Sequence, residues 1–343
     1  MKKIIQILIF VALPSFYCVA QDMHFSQFYE KPILRNPALA GVFEGDVRVT
    51  GIYRNQWQSV TVPFQTGGLS GEIKLPVGKG YDWVTLGTEI SYDQAGDLKL
   101  KRTQVLPVVC YHKSLSAVHD NYLSVAFMGG YVNSQFDPYS AKWDDQFVNG
   151  HYDPSNPTSQ VFSNTSYGYW DASTGISYSG EMGEQDHFYL GIGLFHFNNP
   201  KTNFYTSNTA TTVPQKLTLN SGFKFQTSDI DNVHVYADYL QQGGAEVFIG
   251  GVMYTRELQK RYDDKKTYNI GVGAFYRWND AVIPTVKMDI YDLSIGVSYD
   301  VNVSRLTQAS QSMGGFEISA TWRGKLNRTV EAAARVRCPG IGF

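Results

Sequence analysis

From Tyr291 to Val303 the chain reads YDLSIGVSYDVNV, apolar at every odd position and polar or Gly at every even one. Successive side chains of a β-strand point to opposite faces, so this run has one apolar wall and one polar wall. Helical apolar positions recur at three and four rather than two, and no helix fits. The polar wall carries Asp292, Ser294, Ser298, Asp300 and Asn302. At thirteen residues the run exceeds the ~5–6 of ordinary strands. A tilted strand crossing a bilayer needs about ten residues, with lipid on one side and a polar lumen on the other.

The pattern recurs along the chain. Val47, Val49, Gly51 and Tyr53 oppose Asp46, Arg48, Thr50 and Arg54; Leu217, Leu219, Phe223 and Phe225 oppose Lys216, Thr218, Asn220 and Lys224. Similar alternations run through Val233–Tyr239, Ile270–Trp278 and Phe316–Trp322. Less regular candidates lie at 63–75, 82–94, 98–113, 119–134, 166–180, 186–198, 244–256 and 281–289. The total is about fourteen strands, an even number as single-chain bacterial barrels require. Counted from a periplasmic start, connections after even strands are short (76–81, 115–118, 180–185, 228–230), with the charged 257–266 the longest of them. The two longest connections, 135–165 and 199–213, follow odd strands. Short periplasmic turns and longer outer loops are the asymmetry of an outer-membrane antiparallel β-barrel, and a soluble sandwich gives no reason for it. The fold class is therefore all-β.

The ends place the chain in the cell envelope. Lys2 and Lys3 precede an apolar core, Ile4 to Leu13, and Cys18-Val19-Ala20 is a small-residue cleavage site before Gln21. That is a secretory signal peptide over 1–20. The bulky Phe16 and Tyr17 before Cys18 argue against lipidation. Beyond it no apolar run approaches the ~20 residues of a membrane helix. The formal net charge is −2, or −4 without Lys2 and Lys3, and carries no basic stripe for nucleic acid. Cys110 and Cys338 make no disulfide framework. The 23 Tyr, 20 Phe and 32 Gly suit aromatic girdles and glycine-rich barrel strands.

The mature start reads QDMHFSQFYEKPILRNPALAG, Gln21 to Gly41. Pro32 and Pro37 oppose regular structure, yet Phe25, Phe28, Tyr29, Ile33, Leu34 and Leu39 are costly to leave in water at ~1.5–3 kcal/mol each. The expectation is an irregular segment over 21–45, tucked into or under a barrel at 46–324, with a short periplasmic tail at 325–343.

This block resembles the start of the PorP/SprF family of type IX secretion proteins of Bacteroidetes outer membranes. The matching positions are Gln21-Asp22, Phe25-Ser26-Gln27-Phe28 and Asn36-Pro37-Ala38-Leu39-Ala40-Gly41. Four further blocks are similar to the family's: Tyr53-Arg54-Asn55-Gln56-Trp57, Trp143-Asp144-Asp145-Gln146-Phe147, the 281–304 region with Tyr299, Asp300 and Asn302, and Gly314-Gly315-Phe316-Glu317. The tail departs from the family's ending: Cys338-Pro339 and Phe343 are kept, the basic position is lost and the tail is lengthened. The resemblance implies a non-enzymatic barrel without cofactor that assists export or surface attachment of a cognate protein, often an adhesin with a type B C-terminal domain. It also implies contacts with other type IX components and a link to gliding motility. The alternative is an outer-membrane channel for small or hydrophobic solutes.

Seven histidines invite a search for catalysis. His24 lies in the N-terminal block, His112 and His119 flank a turn, and His151 stands near Asp153, none in a recognised triad pattern. Asp144, Asp145 and Asp153 lack the spacing of a Ca²⁺ loop. The expected lumen set is mixed in sign: Arg48, Arg54, Lys216, Lys224, Asp238, Arg277, Asp292, Asp300, Glu317 and Arg323. An ion-selective pore favours one sign. Mixed charges suit a filled interior, where buried ions must pair.

Overall fold

The computed structural model describes residues 22–326 except 59–61, 79, 117, 141, 161, 184, 203, 205–210, 260–267 and 305–306. The expected signal peptide at 1–20, the tail beyond Leu326 and most of the 257–266 connection lie outside the described residues.

The chain forms strands β1 (Val47–Gln56), β2 (Phe64–Pro76), β3 (Trp83–Ala95), β4 (Leu100–Ser114) and β5 (Tyr122–Gln135). A small hairpin follows, β6 (Phe147–Val148) with β7 (His151–Tyr152), and then β8 (Ser166–Glu181) and β9 (His187–Phe195). A second small pair, β10 (Lys201–Thr202) and β11 (Thr211–Thr212), precedes β12 (Lys216–Gln226), β13 (Asp231–Gln242) and β14 (Ala245–Gln259). The last strands are β15 (Tyr268–Arg277), β16 (Ala281–Ile290), β17 (Leu293–Asn302) and β18 (Met313–Gly324). Apart from the two small hairpins, every strand pairs antiparallel with its chain neighbours, and β1 closes on β18 with Val47 opposite Gly324. The product is a closed barrel of 14 strands, the architecture and count that the alternation predicts.

Burial is inverted relative to a soluble protein. On β17 the apolar Leu293, Ile295, Val297 and Tyr299 are exposed, while Ser294, Ser298, Asp300 and Asn302 are buried. On β18 Phe316, Ile318 and Trp322 are exposed, and Glu317, Ser319 and Thr321 are buried. An outer wall of exposed Leu, Ile, Val and Phe is stable only against hydrocarbon, which is how transmembrane barrels sit. No helix among the described residues is long and apolar enough to cross a membrane.

The strand that opens the sequence argument is shorter than its alternation. It begins at Leu293, not Tyr291, because Tyr291 (φ 58°) and Asp292 form the two-residue turn from β16. Positive φ at the first turn residue matches the twist of a hairpin, and the period of two runs on through a turn that has no faces. Asp292 is therefore exposed in a turn and leaves the lumen set. The 186–198 candidate likewise stops at Phe195, where His196 (φ 55°) turns the backbone left-handed.

The two barrel ends differ. Connections 77–82, 115–121, 182–186, 227–230 and 291–292 share the end at which β1 begins, here the turn end. The loop end carries 136–165 and 196–215, each with its own small hairpin.

Candidate functional site in the barrel lumen

Residues 22–46 run inside the barrel from the loop end to the turn end, where β1 starts. The segment folds as three short helical turns, Phe28–Glu30, Pro32–Arg35 and Pro37–Leu39. Two of them begin at a proline, the helical position where a missing N–H costs nothing. Asn36 breaks the run, and its Oδ1 accepts the Ala38 N–H at 2.9 Å.

Apolar contacts fix it on two sides. Phe28, Tyr29, Leu39, Val42 and Phe43 pack with Tyr189, Tyr236, Ile249, Met253 and Phe275 of the wall. Tyr29 stacks with both Tyr236 and Phe275, with ring centroids 5.3 and 5.1 Å away. Ile33, Ala38 and Ala40 pack with Leu106, Val108, Met128 and Phe195.

Charge pairing fixes it a second time. Lys31 pairs with Glu89 at 2.7 Å, Lys287 with Glu30 at 2.7 Å, and Arg35 forms two bonds of 2.6 Å with Asp238. The Gly41 N–H donates to Glu72, which also holds Arg48 at 2.8 Å. The densest knot lies one level toward the loop end. Ser26 and Gln27 donate their backbone N–H groups to Glu317 at 2.6 and 2.8 Å. Arg54 reaches Glu317 at 3.2 Å and Asp300 at 3.0 Å, and also donates to the His24 carbonyl. Arg277 meets Asp300 at 2.7 Å and donates to Ser26 Oγ at 3.0 Å. Buried ions are expensive unless each finds a partner, and here the wall and the plug supply opposite halves.

Glycines give the plug room. A Cβ on Gly175 would stand 1.9 Å from Asn36 Oδ1, and one on Gly191 would stand 2.6 Å from Asn36 Nδ2. Gly175→Ala is expected to cost about 1–3 kcal/mol by overpacking. Urea titration should show part of that cost returned when Asn36→Ala is added; strict additivity would mean the two sites do not touch.

Among the described residues the lumen keeps a polar cavity of about 120 Å³ at the turn end, beside Lys224 and His234, and smaller ones near Asp22.

The family model described as Type IX secretion system membrane protein PorP/SprF matches residues 18–322. The chain belongs to this family. In solved structures the fold is similar to that of the toluene transporter TbuX of Ralstonia pickettii. That match has a TM-score of 0.50 and 10% identity over 89% of this chain and 96% of that one. A FadL homologue of Pseudomonas aeruginosa gives a TM-score of 0.48 at 10% identity over 84% and 92%. The CymD monoaromatic hydrocarbon channel gives 0.46 at 10% over 87% and 94%. No curated protein sequence matches the chain. PorP/SprF membership and the barrel place the chain in the outer membrane as a type IX secretion component.

The PorP/SprF blocks fall into distinct groups in space. Ser26, Gln27, Arg54, Asp300 and Glu317 come together in the knot, from four blocks spread over the whole chain. Phe25, Asn36, Pro37 and Gly41 are buried within the plug. Gly41 has φ 84°, and a Cβ there would lie 2.0 Å from Thr85 Oγ1. Tyr53, Tyr299 and Phe316 face outward, with Tyr53 and Phe316 in ring contact at 6.2 Å. Asn55 lies on the same strand, and Gly315 lets it approach: a Cβ would stand 2.6 Å from the Asn55 carbonyl. Trp57 donates its N–H to the Gly314 carbonyl, and Asn302 donates to Ser310 Oγ at 3.1 Å in the loop after β17.

Asp145 and Gln146 stand apart, in the 136–165 loop. Asp145 accepts from Ser159 N and Oγ and from Thr158 Oγ1, while Gln146 donates to the Asn156 carbonyl. The bonds from Ser159, first its hydroxyl and then its backbone N–H, hold the Asp145 carboxyl below its usual range. A depressed folded pKa makes this loop closure complete above the ordinary Asp value of ~3.9 and lost as pH falls through the folded value. The protection factor of the Ser159 amide, taken against its intrinsic exchange rate at each pH, should therefore be high at neutral pH and fall as the pH drops below the ordinary Asp value, and Asp145→Ala should remove it throughout.

The remaining candidates are placed as follows. His112 belongs to β4 itself: it is buried, stacks on Trp83 at 4.7 Å, and bonds Thr85 and Ser124. His119 and His151 lie in connections. No group of three metal-ligating side chains occurs among the described residues. Sequence reading overlooked the plug's own charges, Glu30, Lys31 and Arg35, and the wall's Glu72, Glu89 and Lys287. The available signal was three ionic residues inside an otherwise apolar stretch.

Proposed function

We propose that this outer-membrane protein works by protein–protein contact, assisting export or surface attachment of a cognate protein such as a type B C-terminal-domain adhesin. The observation that carries it is the plug: a lumen occupied by the chain's own residues 22–46 serves contact better than solute passage. The loop end, with 136–165 and 196–215, faces outward by the usual barrel asymmetry and meets the surface protein. Tyr139 and Phe147 are exposed there as contact points. The turn end and the tail face periplasmic type IX components, and the signal peptide is removed after Ala20. Gliding motility is the process such a system would serve in its cell.

A photoreactive side chain at Tyr139 or Phe147 should crosslink, in the native membrane, to a large exported protein identified by its type B domain. The rival reading is an outer-membrane channel for small or hydrophobic solutes, which the likeness to the toluene transporter TbuX suggests. Saturable toluene flux into vesicles holding the intact protein, with no such crosslink, would overturn the proposal.

A further inference from the structure

The first described residue of the chain, Asp22, sits at the loop end in a compact cationic site. Its Oδ2 accepts from Lys216 Nζ at 2.8 Å and contacts His196 Nε2 at 2.7 Å; its Oδ1 accepts from Arg102 Nη1 at 3.1 Å. Asp171 holds the far side of His196 at 2.8 Å, and Tyr169 takes the second Arg102 nitrogen at 3.1 Å. The flanking cavities, about 10 and 20 Å³, have room for about one water each, so the carboxylate fits closely.

Two features separate this contact from the rest of the plug. Asp22, Met23 and His24 are half-buried, whereas Phe25 to Ile33 are buried throughout. The Asp22 and Arg102 side chains keep 13% and 22% exposure toward the loop end. Asp22 can thus leave while Lys31, Arg35 and the Glu317 knot keep the plug seated. Its departure would strand Lys216 and Arg102 in a poorly hydrated site, with Asp171 as the only nearby acid among these side chains. Unpaired charge there is costly, so an incoming carboxylate is favoured as a replacement of like by like.

We propose that Lys216, Arg102 and His196 form a carboxylate-binding site for an acidic segment of the exported partner, and that Asp22 occupies it as a built-in competitor. The partner's identity rests on the proposed function; the site's chemistry does not. A tethered competitor acts at an effective concentration in the millimolar range and weakens any rival accordingly.

The test uses the full-length mature protein in detergent and two fluorescent probes, acetyl-triaspartate amide and acetyl-triasparagine amide. Asp22→Asn and Asp22→Ser should each bind triaspartate at least about tenfold more tightly than wild type does, as expected when a tethered rival is removed. Neither variant should bind triasparagine. Adding Arg102→Gln and Lys216→Gln to Asp22→Asn should abolish binding. Equal affinity in wild type and both Asp22 variants, or binding that survives the double Gln change, overturns the site. Triaspartate binding without a crosslinked exported protein at the loops keeps the site and removes the partner assigned to it.

Discussion

A chain lacking residues 22–41 is expected to conduct ions in a planar bilayer, while the intact chain stays silent. The deletion empties the lumen of Phe28, Tyr29, Ile33 and Leu39, whose burial is otherwise worth ~1.5–3 kcal/mol each. The wall left behind carries both signs, with Glu72, Asp238 and Glu317 beside Arg48, Arg54, Arg277 and Lys287, side chains that water can solvate once the plug is gone. The barrel ladder does not depend on the plug, since every strand pair closes through backbone bonds, β1 with β18 included. Steps of current should therefore appear, with little dependence on charge sign, because the wall is mixed in sign. A silent deletion variant that still shows strand circular dichroism would mean that the outer loops, not residues 22–41, seal the barrel.

The second large effect is expected at Asp300. Its Oδ2 receives Arg54 at 3.0 Å and Arg277 at 2.7 Å, all three side chains being buried. Replacing Asp300 by Ala leaves two guanidinium groups competing for Glu317 and the half-exposed Asp280. Removing one member of a buried ion network costs about 3–5 kcal/mol. Urea unfolding of the purified barrel measures that loss. Asp300→Ala with Arg54→Ala should cost less than the sum of the two, because the second change removes a stranded cation. A loss below about 0.5 kcal/mol, the level of ordinary surface changes, would show the network to be incidental.

The barrel was legible because its signal is local: alternation at two is written residue by residue, and outward Val297 or Ile318 need only face lipid. The same locality explains the errors. Alternation continues through Tyr291 and Asp292 because a hairpin turn, unlike a strand, does not sort side chains by face. The apolar residues of 21–45 announced burial, but Lys31 finds Glu89 and Arg35 finds Asp238 across the lumen, pairings no spacing along the chain encodes. The motif blocks showed membership without geometry. Only the closed ring brings Ser26 and Gln27 to Glu317 and separates both from Asp145.

The plug also imposes an order on assembly. Residues 22–46 lie inside a ring whose first strand follows them directly and whose last strand, β18, supplies Glu317, Ser319 and Thr321 to Ser26, Gln27 and Glu30. Those anchors join residues about as far apart in sequence as the closing β1–β18 pair, the contacts that chain entropy delays most. The ring cannot shut first and admit the segment later without passing it through a lumen that the segment fills. Closure and threading are one event, completed when β18 arrives. A barrel halted before Met313 would therefore keep residues 22–41 open to protease, and a folded domain fused ahead of Asp22 would be a cork on the wrong side of the bottle.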